Sequence, residues 1–439
     1  MDFCKKTFFV SLALVSTLLG SCDSDKDPDV VAPRPTAAFT YAGGTCQGGC
    51  PVTFQNASKN ATGYTWNFGD NTTGTQADAQ VAHRYAQPGV YRVKLTALNA
   101  ADTDTTSQRV SVGCGGVVAV TNSITAATTW SACSVYFVNA NIVVSNTLTI
   151  EPGTVVKLAP NVTLMLSGNG RIVARGTAVA PIYFTSYQDD GHGGDSNGNA
   201  SASFPARKDW RGLDLNATTG SQFDNCQFLY GGSGGRVLYL DGGTASVTNC
   251  TFARNGDDVA VITAAVLDAH SAKAGTVIQN NVFFDNIRHL SITSNIDLDD
   301  SNTFRNPANA NEKNQYQGIV TSWDNNVSKT NVVWEETELA FVNTTNIDLA
   351  SGKTLRLANN VTLKFMPGVQ VIFRDSLAQL LNATGAGVAF TSLKDDSRGG
   401  DSNGNNAANA PVRGDWTGLY HDTLPGVWLA WGNAYYATH

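Results

Sequence analysis

One oxygen-rich segment occurs twice. Asp195-Ser196-Asn197-Gly198-Asn199 sets carboxylate and amide oxygens at every second position, and Asp401-Ser402-Asn403-Gly404-Asn405 repeats it 206 residues later. A hard cation such as Ca²⁺ collects several such oxygens. Asp189, Asp190 and Asp209 are further candidate ligands in the first copy, with Asp395, Asp396 and Asp415 as their counterparts. The sixth position holds Ala200 or Asn406 where a tight calcium loop uses Gly, and no acid stands at the twelfth, so a metal would need those extra ligands.

Acid–base chemistry has weaker candidates in the same stretch. Arg207 and Asp209 recur as Arg413 and Asp415, whereas Lys208 becomes Gly414. A loop kept in two tandem units answers a structural demand more naturally than it makes two active sites. Adjacent Asp189 and Asp190 do not define the carboxylate separation that glycoside hydrolysis requires. The His residues are scattered and form no Ser-His-Asp or His-rich metal pattern.

The elements that carry these residues are repeats. Phe184-Thr185-Ser186, the acidic loop, Asp209-Trp210 and Gly212-Leu213 return as Phe390-Thr391-Ser392, the second loop, Asp415-Trp416 and Gly418-Leu419. Between them, Asn225-Cys226-Gln227-Phe228, Asn249-Cys250-Thr251-Phe252, Asn281-Val282-Phe283 and Asn302-Thr303-Phe304 recur at intervals close to one coil of a parallel β-helix. Each Phe is expected to stack on the next inside the coil, with the upstream Asn forming an inward or turn-capping amide ladder. Cys226 and Cys250 then lie on adjacent coils, as a disulfide or as a free stacked pair. Trp210 and Trp416, fixed in place in each unit, are expected to pack beneath the following loop rather than to stack on sugar.

Short alternating runs before this region, such as Val52-Thr53-Phe54 and Tyr64-Thr65-Trp66-Asn67-Phe68, predict antiparallel strands in a sandwich. Trp66-Asn67-Phe68-Gly69-Asp70, His83-Arg84-Tyr85 and Pro88-Gly89-Val90-Tyr91 in that module resemble the PKD domain, with Trp66 and Phe68 filling its core. PKD domains serve as extracellular spacers and binding modules, so the resemblance implies no catalytic machinery here. The second region is similar to the right-handed β-helix proteins common among secreted Bacteroidota proteins, and its acidic segment resembles the start of dockerin calcium loops. The fold class expected is therefore all-β: a PKD-like, Ig-like β-sandwich over residues 35–113, then a right-handed parallel β-helix over 117–439 with two tandem units about 206 residues apart.

Export is written at the start of the chain. Lys5 and Lys6 precede an apolar stretch too short to span a bilayer, which reads as a signal peptide over residues 1–21. Leu18-Leu19-Gly20-Ser21-Cys22 resembles the lipobox of bacterial lipoproteins, which implies a lipid on Cys22 and a membrane as partner. Residues 22–34 form an acidic tether, similar to the signal that sends such lipoproteins outward to the outer membrane or cell surface. In an oxidising compartment Cys46 with Cys50 and Cys114 with Cys133 are the nearest disulfide pairs.

A net charge of −7 offers no basic stripe for a phosphate backbone, which excludes nucleic acid as the expected partner. The expectation is a non-catalytic lipoprotein scaffold that binds polysaccharide or surface protein, with Ca²⁺ as its cofactor. The competing expectation is a β-helix polysaccharide lyase or glycoside hydrolase with Arg207 and Asp209 in its site. After the second Trp the repeat gives way to Val427-Trp428-Leu429-Ala430-Trp431, which reads either as a cap or as a shortened unit.

Overall fold

The computed structural model describes residues 33–43, 51–75, 79–85, 89–112, 116–132, 134–199, 202–323, 329–376, 379–422 and 427–439. The expected leader, Cys22 and the Cys46, Cys50, Cys114 and Cys133 pairs lie outside them. Among the described residues there is no α-helix, and no helix long and apolar enough to cross a membrane.

The first module is two antiparallel sheets packed face to face. Strands Phe39–Gly43, Pro51–Asn56 and Gln80–Arg84 make one; Thr73–Thr75, Gly63–Asn67, Gly89–Leu98 and Thr103–Val112 make the other. Period-two alternation turns Phe39, Phe54, Trp66, Val93, Leu95 and Val110 inward, each under 4% exposed. Trp66 and Phe68 lie on one side, as their spacing predicts, and Gly69 and Asn71 take left-handed φ values of 82° and 68° at the turn after them.

From Val117 onward the pairing becomes parallel, apart from the hairpin of Arg305–Asn306 with Asn309–Lys313 and the last strand. Sheets of seven, ten and six strands form the faces of a solenoid, each strand bonded to the one a coil earlier. This is the all-β sandwich and parallel solenoid that the repeats predict. Phe184, Phe228, Phe252 and Phe283 are in register, and their rings stack with centroids 4.9, 4.7 and 5.0 Å apart; Phe304 extends the column at 5.4 Å. All but Phe304 are fully buried, and removing each from water contributes about 1.5–3 kcal/mol.

The amide ladder differs from the sequence expectation. Counting back two residues from each Phe gives Cys226, Cys250, Asn281 and Asn302, and these are the buried side chains. Asn281 Oδ1 accepts the Cys250 N–H at 2.9 Å, and Asn302 Oδ1 accepts that of Asn281 at 3.0 Å. Asn225 and Asn249 sit one position earlier and supply left-handed turns with φ of 47° and 54°. Cys226 and Cys250 are buried free thiols in place of the amides. A second ladder, Asn255, Asn286 and Asn314, flanks the Phe column on its other side.

The two units do not lie in line. In the first, strands Val155–Leu158 and Ile182–Ser186 belong to the seven-stranded sheet; their counterparts Thr362–Phe365 and Ala389–Ser392 belong to the ten-stranded sheet. The second unit is thus turned by one face of the solenoid. At the end, Val427–Leu429 folds back antiparallel on Gly418–His421, after which Ala434 pairs with Phe390 and Ala437 with Trp416. That path follows the first unit, where Phe228 pairs with Phe184 and Gly231 with Trp210.

Candidate functional site: loop platforms and the cleft between modules

Each acidic loop lies across the outer face of a sheet and is pinned from below by a lysine. Lys157 and Lys364 stand in short, largely apolar strands, opposite Thr185 and Thr391 in the parallel pairing, and both are fully buried. Lys157 Nζ donates to Gly194 O at 2.5 Å; Lys364 Nζ donates to Gly400 O at 2.5 Å and to Ser402 Oγ at 3.0 Å. Burial pushes the Lys364 pKa down to about 8, against the pull of Asp396, Asp395 and Asp401. Lys157 is lowered for the same reason, with Asp189, Asp190 and Asp195 opposing. The Gly-Gly step is required here: Gly193 and Gly399 adopt φ of 75° and 63°, and a Cβ on either would come within 2.6 Å of the side chain below.

The expected metal ligands divide into spent and unspent groups. Asp195 Oδ1 accepts the Gly198 and Asn199 N–H groups, Asn197 Oδ1 accepts that of Asn199, and Asn199 Oδ1 that of Ala202. Asp401, Asn403 and Asn405 do the same work in the second loop. Asp189 and Asp395 accept from Thr185 and Thr391 at 2.6 and 2.7 Å, and Asp209 and Asp415 from Ser186 and Ser392 at 2.7 and 2.9 Å. Asp190 and Asp396 differ, since both carboxylate oxygens of each are buried and no side chain donates to them, the Ala407 N–H alone acting on Asp396. Burial, with repulsion from Asp401, raises the Asp396 pKa. Among the described residues no three His, Cys, Asp or Glu side chains gather so as to hold a metal. The observation that fits a cation is the pair of buried carboxylates that no side chain donates to, one in each unit.

Arg207 and Asp209 are directed to different partners. Arg207 pairs with Asp285, and Asp209 also caps the Ala206 N–H at 2.9 Å. Lys208 holds a φ of 59°, which explains why Gly414 replaces it in the second copy. Trp210 and Trp416 are fully buried and donate Nε1–H to Leu229 O and Tyr435 O at 2.9 and 2.7 Å. They are packing residues, as their fixed place implies.

One concave feature lies where the first loop faces the sandwich module, and a smaller one is lined by Lys394, Asn403, Asn405 and Asp415 of the second loop. A cleft of about 620 Å³ has Tyr41, Arg92, Arg109 and Ser111 on one wall and Tyr183, Gln227 and His192 on the other. Arg109 Nη1 crosses it to Gly191 O at 3.1 Å. His192 Nδ1 lies 2.7 Å from Asp189 Oδ2, and its ring centroid is 4.2 Å from that of Tyr183. Burial works to raise the Asp189 pKa, but hydrogen bonds from His192 and Thr185 and the nearby positive charge hold it below the ordinary value. Burial raises that of Tyr183, and the Arg109 charge partly offsets it. A carboxylate bound to Nδ1 fixes the imidazole and leaves Nε2 for the cleft. Nothing in the sequence marked Tyr183, His192, Arg92 or Arg109; the signal available was the contrast with Ala389 and Arg398 at the matching places in the second unit.

Residues 32–114 match the PKD domain family. No curated protein matches the chain.

Proposed function

We propose that this protein is a non-catalytic binding scaffold of the cell surface, held by lipid at Cys22, whose PKD domain and parallel solenoid together grip a glycan in the cleft between them. The observation that carries it is the cleft itself, the place where aromatic rings, guanidinium groups and an oriented imidazole converge. Most residues that recur in both units are occupied in building loops, while Tyr183, His192 and Gln227, which face the cleft, do not recur. Ca²⁺ has a stabilising role in this proposal, with Asp190 and Asp396 as its ligands, whose buried oxygens without side-chain donors support it. The test is a glycan array and calorimetry with the soluble chain from Asp23 onward. Saturable binding that is lost on Tyr183→Ala supports the proposal, and absence of any glycan or protein ligand refutes it.

One observation favours a second reading, a polysaccharide lyase. A carboxylate-held His192 beside two arginines has the parts for abstracting a proton next to a uronate carboxylate. Incubation with uronate polymers, read as ultraviolet absorbance of unsaturated products, decides it. Product formation abolished by His192→Ala would make the protein an enzyme.

A further inference from the structure

Arg92 and Arg109 stand directly opposite one another in the antiparallel pairing of Gly89–Leu98 with Thr103–Val112. Like charges facing across a pair of strands are destabilising. Among the described residues neither has an ion-pair partner: Arg92 Nε donates to Ser107 Oγ at 3.3 Å, Arg109 reaches the Gly191 carbonyl at 3.1 Å, and the one carboxylate lining the cleft with them, Asp190, has its oxygens buried. Both side chains belong to exposed residues, and both line the cleft. In a protein with net charge −7, two unpaired guanidinium groups side by side at a concave surface form a local anion site.

We infer that the cleft takes an acidic saccharide chain, with a uronate carboxylate held between Arg92 and Arg109 and the neighbouring sugar lying over the Tyr183 and His192 rings. This rests on the glycan-binding proposal above and names its ligand class. Guanidinium groups match carboxylate geometry with paired N–H donors. The Gln227 amide and the Ser111 hydroxyl can bond sugar hydroxyls, and with Nδ1 held by Asp189 the imidazole has Nε2 left for the ligand. The comparison between units separates framework from recognition. Where the first unit has Tyr183, His192 and Gln227, the second has Ala389, Arg398 and Asn433. Arg398 is occupied there, 4.1 Å over the Tyr435 ring and 3.5 Å from Asp395. The loop, its lysine and its caps are common to both, so the ligand-facing residues are a feature of the first unit alone.

The experiment is calorimetric titration of the soluble chain with oligogalacturonate, with neutral maltohexaose and with a poly-glutamate peptide, using wild type, Arg92→Ala, Arg109→Ala and His192→Ala. Oligogalacturonate alone is expected to bind, weakening with salt and losing at least about tenfold in affinity with either arginine variant. Arg92→Ala also relieves the cross-strand repulsion, so its melting temperature is expected to stay level or rise while affinity falls; a merely structural arginine would not separate the two. Binding of maltohexaose equal to that of oligogalacturonate and unaffected by the arginine variants overturns the acidic-saccharide inference but keeps the glycan proposal. Tighter binding of poly-glutamate, or no binding of any probe, overturns both.

Discussion

Lys157 Nζ meets the carbonyl of Gly194 from inside the sheet, so the acidic loop rests on an ammonium supplied by the chain. Three carboxylates, those of Asp189, Asp190 and Asp195, act on that charge. Lys157→Met leaves them and the carbonyl without it. Loss of that hydrogen bond costs about 1–3 kcal/mol, and the denaturation midpoint of the solenoid is expected to fall accordingly. An unchanged midpoint would show that the loop holds itself.

Calcium adds to that internal cation in the proposed scheme. Stabilisation by a ligand at about a hundredfold excess over its dissociation constant is about 2.7 kcal/mol. Millimolar Ca²⁺ is therefore expected to raise the melting temperature, chelation to reverse it, and Asp190→Asn with Asp396→Asn to abolish it. Melting curves that superimpose with and without chelator would reject the ion.

Glu336 gives the solenoid a pH response. Burial pushes its pKa up to about 8 from 4.5, with repulsion from Asp300 and Glu338 adding to the shift. Its Oε1 accepts the Glu338 N–H at 2.7 Å, and Oε2 is buried with no partner. The folded state binds this proton more tightly than the unfolded chain does. Its contribution to stability is complete below about pH 4.5 and is lost as pH rises through about 8. The slope is at most about 1.4 kcal/mol per pH unit. Glu336→Gln is expected to flatten the curve over that range, measured as urea midpoints from pH 5 to 9 in steps of about one unit.

Asn286 joins three coils. It accepts the Asn255 N–H at 3.1 Å and donates to Phe252 O and Asn314 Oδ1 at 2.8 and 2.9 Å, all in the interior. Asn286→Ala leaves these groups unsatisfied at about 1–3 kcal/mol each. Reduced stability is expected, with faster amide exchange at Asn255 as the local readout. Unchanged exchange there would place the ladder's support elsewhere.

The Phe column was legible in the sequence because identical side chains recur at coil spacing and only stacking repeats that way. The rung beside it was misplaced by one residue. Asn225 and Asn249 precede Cys226 and Cys250, and only the count back from each Phe shows that the cysteines share the column of Asn281 and Asn302. Lys157 and Lys364 were illegible because a lysine in a strand ordinarily turns its head to water; their offset is one residue away from the 206-residue period, so the repeat did not align them. The Arg92–Arg109 pair needed the strand register, and the cleft needed one module set against the other. Spacing within a single chain carries neither.

The placement of the two lysine-pinned loops on different sheets has a geometric outcome for any longer relative built from such units. A period of 206 residues does not close on a whole number of turns, so each added copy would be rotated by one side relative to the last. The loops would then climb the shaft like treads of a spiral stair. A straight polymer lying along one side would meet one tread and pass the next.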